Sequence, residues 1–371
     1  MLTASRASLL SALSLVGAVV ERRNTIPILS NVLLARAADP ARLALTMTDM
    51  DVEAQLTMAA TLGTDFRPFT VQAHLLHDIV RKLPDGADCG FEPADPSMGQ
   101  MRLKAGRSKF ALQVLPDGDF PLQKPLDGPC RFQAPAKAFA EALAAVSFAI
   151  STEETRYYLN GIFCHPVEEG VMLVATDGHR LAKRVVLLEG GAPADMPSVI
   201  IPKKTVGVLA KILPKDGEIT LTVSDARISF DLGSTRLSSK LIDGTFPEYQ
   251  RVVPRDLPEP AIIDAASLRA AVDRVGTVAG DKSRAMKFTF EDGTLTLTVA
   301  NPDAGNAEET LAYDGDLTLS TGFNSRYVLD VLAQIGTDRL TLSAADASSP
   351  AILRATGDNP LNLAVLMPMR A

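Results

Sequence analysis

The sequence predicts an α+β protein made of three topologically similar domains, each with two helices and antiparallel sheets. One observation is a repeated turn: TDMD, TDGH and NPDA begin at Thr48, Thr176 and Asn301, spaced by 128 and 125 residues. A second is a repeated closure, in which DGDFP and DGTFP place Phe120 and Phe246 at a separation of 126 residues. The third is the order of helix and strand patterns, which recurs around each turn. Such a period indicates three copies of one domain-sized unit.

The first copy opens with a helix, because apolar Leu9, Leu13, Val16 and Val20 recur at helical spacing. The run lacks a small-residue cleavage site, so we expect a domain helix rather than a signal peptide. A strand with alternating apolar residues at 43–47, a helix at 73–83 and a hairpin turning at Gly106 follow. No other run is long enough to span a bilayer, and we therefore expect no membrane segment.

The second and third copies repeat this order. A helix at 135–150 begins with proline in its first turn, and a second helix covers 203–213 before a hairpin at 219–237. The third copy has helices at 267–279 and 324–336, with an Asp-Gly hairpin turn at Asp292 and Gly293 between them. Stretches with Pro and Gly at 125–129 and 254–260 separate the copies. The predicted domains are 1–125, 130–250 and 254–371.

Composition indicates a globular protein of a reducing compartment. The chain has 371 residues, 46% of them apolar and 22% charged. Its three cysteines, Cys89, Cys130 and Cys164, are far apart, which favours free thiols and a cytoplasmic protein. His74 and His77 lie one helical turn apart without a third ligand, so we expect no metal and no cofactor.

The stretch LVATDGHRLA contains the strongest local signal. An apolar strand breaks at Thr176 and Asp177, Gly178 supplies a residue suited to positive φ, and the strand resumes after His179. Asp177 and His179 form either an acid/base pair or part of a solvated turn. The sequence shows no third group that would orient such a pair.

Charge is distributed unevenly along the chain. The net charge is −7, but the six helical segments with their flanks carry 15 Lys and Arg against 6 Asp and Glu. The rest of the chain therefore has a net charge of −16. This pattern indicates that a basic face of the protein contacts a polyanion while an acidic face is repelled by it. The alternative is that the charges are simply scattered over solvated helix surfaces.

Helix dimensions indicate what such a face could enclose. Six helices about 10 Å wide, placed side by side in a circle, close on a hole of about 9 Å, whereas twelve leave about 28 Å. A DNA duplex about 20 Å across fits only the larger ring. If the helices line the hole, encirclement of DNA requires two chains.

Several stretches together resemble the bacterial DNA polymerase III beta subunit family, the sliding clamps. The matching stretches are RNTIPILSN, RYYLNG, ATDGHRLA, VIIPKK, SSKLIDGTFPEYQRVVP, GFNSRYVLDVL and MPMR, and they keep the family's order over nearly the full length. The resemblance implies the DNA clamp fold: three domains per chain and a homodimeric ring with helices lining the hole. It also implies a non-enzymatic processivity factor that slides on duplex DNA.

The resemblance further implies three sets of site residues. The peptide-binding set is Leu159, Thr176, Gly178, His179, Arg180, Leu181, Pro247, Arg251, Val252, Asn324, Tyr327, Val365, Leu366, Met367, Pro368, Met369 and Arg370. The DNA-binding set is Arg23, Tyr157, Tyr158, Lys203 and Lys204. The dimer set is Arg107, Lys109, Phe110 and Leu112 on one chain, with Thr277, Val278, Glu308 and Glu309 on the other. Gln250 and Ala371 depart from the family pattern of a second Arg and a larger apolar last residue.

The implied partners are double-stranded DNA, the DNA polymerase III alpha subunit, the clamp loader, and repair polymerases, mismatch repair proteins and ligase. The loader would supply ATP hydrolysis. Two alternatives stay open at this stage. One is a hydrolase or transferase that uses Asp177 and His179, and the other is a nonspecific DNA-binding protein without a closed ring.

Overall fold

The computed structural model describes residues 1–95, 99–124, 126, 130–280 and 284–371. Within them the predicted threefold repeat is confirmed, because each copy follows the order strand, helix, four strands, helix, three strands. Most of the stretch 125–129, which we expect to separate the first two domains, lies outside the described residues. The boundaries of the three domains therefore stay predictions.

The first copy has one extra short helix and one extra short strand. Its elements are β1 (Leu2–Ser5), α1 (Arg6–Leu13), α2 (Val16–Val19), β2 (Asn31–Arg36), β3 (Arg42–Thr48), β4 (Val52–Ala59), β5 (Thr61–Leu62), β6 (Phe69–Gln72), α3 (Ala73–Lys82), β7 (Asp88–Asp95), β8 (Gln100–Ala105) and β9 (Ser108–Leu115).

The second and third copies contain the repeat without additions. The second copy consists of β10 (Cys130–Pro135), α4 (Ala136–Ser147), β11 (Gly161–Val167), β12 (Gly170–Thr176), β13 (Arg180–Leu187), β14 (Val199–Pro202), α5 (Lys203–Ile212), β15 (Glu218–Val223), β16 (Arg227–Asp231) and β17 (Thr235–Lys240). The third copy consists of β18 (Ala261–Asp264), α6 (Ala265–Gly276), β19 (Ala285–Glu291), β20 (Thr294–Asn301), β21 (Gly305–Ala312), β22 (Leu319–Asn324), α7 (Ser325–Leu332), β23 (Arg339–Ser343), β24 (Ala351–Ala355) and β25 (Leu363–Leu366).

All six predicted helices are present, and the first one is interrupted. The break lies at Ser14, whose hydroxyl donates to the carbonyl of Ser11 at 2.7 Å and competes with the helical bonding pattern. Leu9, Leu13 and Val16 are nevertheless buried, so the apolar stripe has the predicted role. The predicted Asp-Gly hairpin turn is also confirmed, with φ of +49° at Asp292 and +73° at Gly293.

Strands shared between copies gather the chain into two compact units. The first unit comprises residues 1–137, 193–197 and 204–241, and the second comprises 138–192, 198–203 and 242–371. In the first unit, β4 pairs with β17 of the following copy within one 13-stranded sheet. In the second unit, β13 pairs with β25 of the following copy within an eight-stranded sheet, and β19 to β22 form a separate four-stranded sheet.

The turns TDMD and TDGH have the same hydrogen bonds. The Thr48 hydroxyl donates to the carbonyl of Val52 at 3.0 Å, as that of Thr176 does to Arg180 at 2.7 Å. In both turns the Asp carboxylate accepts from the backbone N–H groups two and three residues further on. The third residue has φ of +78° at Met50 and +90° at Gly178. The third copy of the turn, at Asn301, has a different bonding pattern.

Met50 therefore occupies a left-handed position that the equivalent turn gives to glycine. Replacing Met50 by glycine is expected to stabilise the chain by about 1 kcal/mol, because a side chain at this φ costs about 1–2 kcal/mol. Replacing Gly178 by alanine should have the opposite sign, since its Cβ would lie 2.6 Å from Nη1 of Arg156. Urea unfolding of the two variants measures both effects, and a change of the same sign in both would contradict the prediction.

Candidate functional site

An apolar groove lies in the second unit on the face of the eight-stranded sheet. Its volume is about 250 Å³. Leu181 and Val365 from the paired strands β13 and β25 form its floor, and Met367 follows on from β25. The full lining consists of Arg156, Tyr158, Leu159, Thr176, Gly178, Arg180, Leu181, Pro247, Glu248, Tyr249, Val252, Val365 and Met367. Val252 and Met367 are 49% and 41% exposed, so the rim presents large apolar side chains to a ligand.

The TDGH turn forms one end of the groove. Both oxygens of the Asp177 carboxylate are occupied: Oδ1 accepts from the backbone N–H of His179 and of Arg180, and Oδ2 accepts from Nε of Arg180 at 3.0 Å. The carbonyl of His179 accepts from the N–H of Met367 at 2.9 Å. Asp177 thus holds the turn in shape, and the turn fixes the chain that follows β25.

Arg180 connects the second copy to the third. Its guanidinium donates to Asp330 on α7 at 2.5 Å and to the carbonyl of Phe148 at 2.7 Å, in addition to Asp177. It also lies over the ring of Tyr327, with its central carbon 4.3 Å from the ring centroid. Only 12% of the side chain is exposed. Arg180 lines the groove, but its hydrogen-bonding capacity is used mainly within the protein.

The opposite wall is a strap (residues 247–252) held to the sheet by aromatic contacts. Phe246, just before the strap, stacks on Phe163 of β11 at a centroid distance of 4.7 Å. Nδ1 of His165 donates to the carbonyl of Pro166 at 3.0 Å, so its Nε2 accepts from the hydroxyl of Tyr249 at 2.9 Å. Burial lowers the pKa of His165, and Lys183 adds to this, which keeps the imidazole neutral and able to accept.

The link between His165 and Tyr249 makes stability depend on pH. The folded chain holds the pKa of His165 below the ordinary value of about 6.5. At a pH between the folded and the unfolded pKa, the unfolded chain therefore binds more protons than the folded chain. The free energy of unfolding should therefore fall as the pH drops below about 6.5. We expect the Tm of the native chain to fall more steeply between about pH 6.5 and 5 than that of His165→Gln, whose amide accepts without titrating. Parallel Tm profiles would contradict this.

About half of the residues that the resemblance implied for peptide binding line this groove. They are Leu159, Thr176, Gly178, Arg180, Leu181, Pro247, Val252, Val365 and Met367. The sequence did not single out Arg156, Glu248 or Tyr249, and it placed Tyr158 in the DNA-binding set. Tyr249 lies inside the matched stretch SSKLIDGTFPEYQRVVP, so that motif contained the missing signal.

The other implied residues do not line the groove. Leu366 is a correction, because strand alternation turns it away from Val365 and into the core of the third copy, where it is 1% exposed. Asn324 caps α7 by accepting from the N–H of Arg326 and of Tyr327. The remaining residues have other positions. The His179 and Tyr327 rings stack on each other, and the Arg251 side chain is exposed beside Glu248. Met369 forms a bridge with Gly322, and Pro368 and Arg370 flank it.

The residues implied for DNA binding are exposed or partly exposed basic and aromatic side chains. In the first unit, Arg23 is exposed and Lys204 forms ion pairs with Asp49 and, at 3.7 Å, with Glu21. In the second unit, Tyr157 is 53% exposed and packs edge to face on Tyr158, while Lys203 begins α5. These side chains keep their assignment as a prediction.

Two strand edges carry the residues implied for the dimer. Strand β9 (Ser108–Leu115) pairs with β8 along one edge. Along its other edge, among the described residues, β6 pairs with Val114 and Leu115 only. Arg107 and Lys109 are exposed there and Phe110 is partly exposed. Leu112 is a correction, because it is only 3% exposed in the single chain.

The partner edge is β21, which in the described sheet is bonded only to β20. Glu308 is exposed on it, and Glu309 forms an ion pair with Arg274. Thr277 is exposed after α6, whereas Val278 packs against the core.

The described residues contain no group of three or more His, Cys, Asp or Glu side chains that could hold a metal ion. Cys89, Cys130 and Cys164 are free and buried. Burial raises the pKa of the Cys164 thiol to about 12, and that of Cys89 to about 11. Among the helices of the described ranges, none combines the length and apolar character needed to cross a membrane.

Family profiles identify the whole chain. Those of the N-terminal, central and C-terminal domains of the DNA polymerase III beta subunit match residues 1–124, 133–248 and 250–370. The chain belongs to the bacterial DNA polymerase III beta subunit family. Members of this family are beta sliding clamps, and the chain is accordingly a non-catalytic processivity subunit with the α+β clamp fold. The hydrolase or transferase alternative is not supported, which agrees with the structural role of Asp177.

Individual relatives cover the chain from end to end. A beta sliding clamp of Caulobacter vibrioides (strain NA1000 / CB15N) is 43% identical over 384 residues, covering 100% of this chain and 99% of the relative. The beta sliding clamp of Escherichia coli (strain K12) is 32% identical, with 99% of each chain covered.

Solved clamps have the same fold. A sliding clamp of Bartonella birtlesii bound to griselimycin has a TM-score of 0.92 and 44% identity, covering 100% of this chain and 99% of that chain. Caulobacter crescentus pol III beta has a TM-score of 0.90 and 44% identity, with 100% of both chains covered.

Proposed function

We propose that two copies of the chain close into a ring around duplex DNA and that client proteins bind the apolar groove through short peptides. The observation that carries the second part is the groove itself, with Leu181 and Val365 as an apolar floor and exposed Val252 and Met367 at its rim. Two buried apolar anchors gain about 3–6 kcal/mol before ordering costs. Because ordering costs offset much of this gain, we expect dissociation constants in the micromolar range and clients that exchange.

Adaptable side chains suit a platform that several clients share. Methionine repacks around different apolar anchors, while the fixed TDGH turn supplies backbone groups that set the direction of the peptide. The clients we propose are the DNA polymerase III alpha subunit, the clamp loader, repair polymerases, mismatch repair proteins and ligase. Free buried thiols and a replication role support a cytoplasmic location.

Contacts with DNA would be electrostatic and independent of sequence. Arg23, Lys203 and Lys204 would attract phosphates, and the exposed ring of Tyr157 would pack on bases or sugars with Tyr158. Because such contacts are weak and screened by salt, they permit sliding. Helices lining the hole would bring the positive charge of the helical segments to the DNA.

The two incomplete strand edges support a head-to-tail homodimer. One is the basic edge of β9, with Lys109 and, just before the strand, Arg107; the other is the acidic edge of β21, with Glu308. An exposed strand edge is a template for pairing with another chain, and opposite charges favour this pairing over like with like. Phe110, Thr277, Val278 and Glu309 would adjoin the joint.

Retention on DNA circles tests the ring. Once loaded onto a nicked circular plasmid, the protein should stay bound through gel filtration, and cutting the circle should release it from the free ends. A nonspecific binder would be retained equally on linear and circular DNA. Equal retention would overturn the ring proposal, and so would a monomeric mass by light scattering at micromolar concentration.

A further inference from the structure

The first unit contains a second groove built like the apolar groove. We call it the polar groove; it is lined by strands β4, β10 and β15 to β17 and by residues 122–124. The N–H of Lys240 donates to the carbonyl of Asp51 at 2.8 Å, just as that of Met367 donates to His179 at 2.9 Å. Glu53 of β4 pairs with Ser238 of β17, and this pair has the same place in its sheet as the pair Leu181–Val365 has in the second unit. The polar groove has a volume of about 410 Å³, compared with about 250 Å³ for the apolar groove.

The floor of the polar groove has the opposite chemistry. Glu53 and Ser238 stand where the apolar groove has Leu181 and Val365, and the neighbouring strand places Ser229 where the other unit has Ile352. The Ser238 hydroxyl donates to Oγ of Ser229 at 3.0 Å. Such a floor cannot hold apolar anchors, because burying unpaired polar groups against them is costly.

Positive charge predominates around this floor. The lining includes the cations of Lys124, Arg131, Arg227 and Arg236, but only two carboxylates, Glu53 and Asp231. Arg236 pairs with Asp231 at 3.4 Å, and Arg227 donates to the carbonyl of Lys124. In the described residues, neither Arg131 nor the Lys124 ammonium has an ion-pair partner. This local excess is notable in a chain whose net charge is −7.

Hydrogen-bonding groups are also left unused in the polar groove. Gln123 occupies the position that Tyr249 has in the strap, and both side-chain amide atoms are enclosed without a partner among the described residues. Its backbone N–H donates to Oε2 of Glu53 at 2.9 Å. Burial raises the pKa of the Glu53 carboxyl despite this bond and nearby Arg227 and Arg236. Each unpaired buried polar atom costs about 1–3 kcal/mol, so a ligand that pairs the amide would be stabilised there.

We propose that the polar groove binds an acidic peptide segment, with its carboxylates facing Arg131 and Lys124. The main-chain N–H groups of the peptide would bond to Glu53 and to the oxygen of the Gln123 amide. A peptide fits better than a nucleic acid backbone, because phosphodiesters offer no donor to Glu53. The chain would then have two peptide sites of the same architecture and opposite preference, which goes beyond the function proposed above.

Fluorescence anisotropy with the full chain tests this site. The probe is fluorescein-labelled Ser-Glu-Asp-Ser-Glu-Asp-Ser, and its amide counterpart Ser-Gln-Asn-Ser-Gln-Asn-Ser serves as the uncharged control. We expect saturable binding of the acidic probe that Arg131→Glu weakens about tenfold and Arg131→Gln about threefold. Arg67→Glu, an exposed arginine of the same unit outside the groove, should change the affinity by less than about twofold.

Three results would overturn the proposal. They are no saturable binding of the acidic probe, equal losses of affinity for it in Arg131→Glu and Arg67→Glu, and equal affinity of the native chain for the acidic and the amide peptides. Tighter binding of oligothymidylate that is lost in Arg131→Glu would assign the groove to nucleic acid instead. Circular dichroism verifies that Arg131→Glu is folded, and Arg131→Gln provides the test if it is not. An apolar client peptide titrated in parallel should bind all variants with the same affinity. If it bound none of them, the proposed function of the apolar groove would fail independently of the polar groove.

Discussion

Replacing Arg180 by alanine is expected to lower the free energy of unfolding by about 3 kcal/mol. The guanidinium is almost fully enclosed and pairs with Asp177 and Asp330 while donating to the carbonyl of Phe148. Its removal leaves the Asp177 carboxylate, 17% exposed, without its charged partner. Breaking a largely buried pair costs about 3–5 kcal/mol, and the partial exposure of Asp330 places this case at the lower end.

The same substitution should weaken peptide binding, because the TDGH turn loses the bond from Nε of Arg180 to Asp177. Thermal and urea unfolding measure the stability, and anisotropy with a labelled apolar peptide measures the affinity. Arg251→Ala is the matched control: this arginine pairs with Glu248, but its side chain is 80% exposed. Its loss should cost less than about 0.5 kcal/mol. Equal destabilisation by both variants would show that Arg180 does not connect the two copies.

Replacing Met367 by glutamate is expected to weaken apolar peptide binding about 100-fold with little change in stability. Met367 is 41% exposed in the free chain, so the fold accommodates a charge there. A docked peptide would cover that charge without a partner, and desolvation of an unpaired carboxylate costs several kcal/mol. The expected affinity loss corresponds to about 2.7 kcal/mol.

Leu187→Glu controls for the added charge in the Met367 experiment. Leu187 ends β13, is 53% exposed and lies outside the groove lining. Titration of a fluorescein-labelled hexapeptide with two large apolar residues should give the same affinity for this variant as for the native chain. If both glutamate variants lose affinity equally, long-range repulsion rather than the groove wall explains the effect.

Features that depend on nearby residues could be predicted from the sequence. The six helices follow from apolar spacing, and the hairpin at Asp292 and Gly293 follows from turn chemistry. The repeat of about 125 residues predicted three copies without knowledge of how they pack. The TDGH turn was recognised, and only its contacts distinguished a structural turn from an acid/base pair.

Features that depend on distant pairing could not be predicted in this way. The pairs β4–β17 and β13–β25 join residues more than 170 positions apart, and no local pattern specifies them. The inward direction of Leu112 and Leu366 depends on strand register, since a shift of one residue reverses every side chain. No local pattern assigns a role to His165, and its role became clear from the hydrogen bond to Tyr249.

The pairing of β25 with β13 has a consequence for synthesis on the ribosome. The second copy leaves the ribosome with β13 exposed along one edge, and β25, which covers that edge, is translated about 180 residues later. Until residues 363–367 have emerged, the nascent chain lacks Val365 and Met367 and cannot present a finished apolar groove. Peptides that bind the apolar groove would thus meet a complete site only on chains whose translation has reached this strand. The bare edge of β13 is a point where neighbouring nascent chains could pair wrongly.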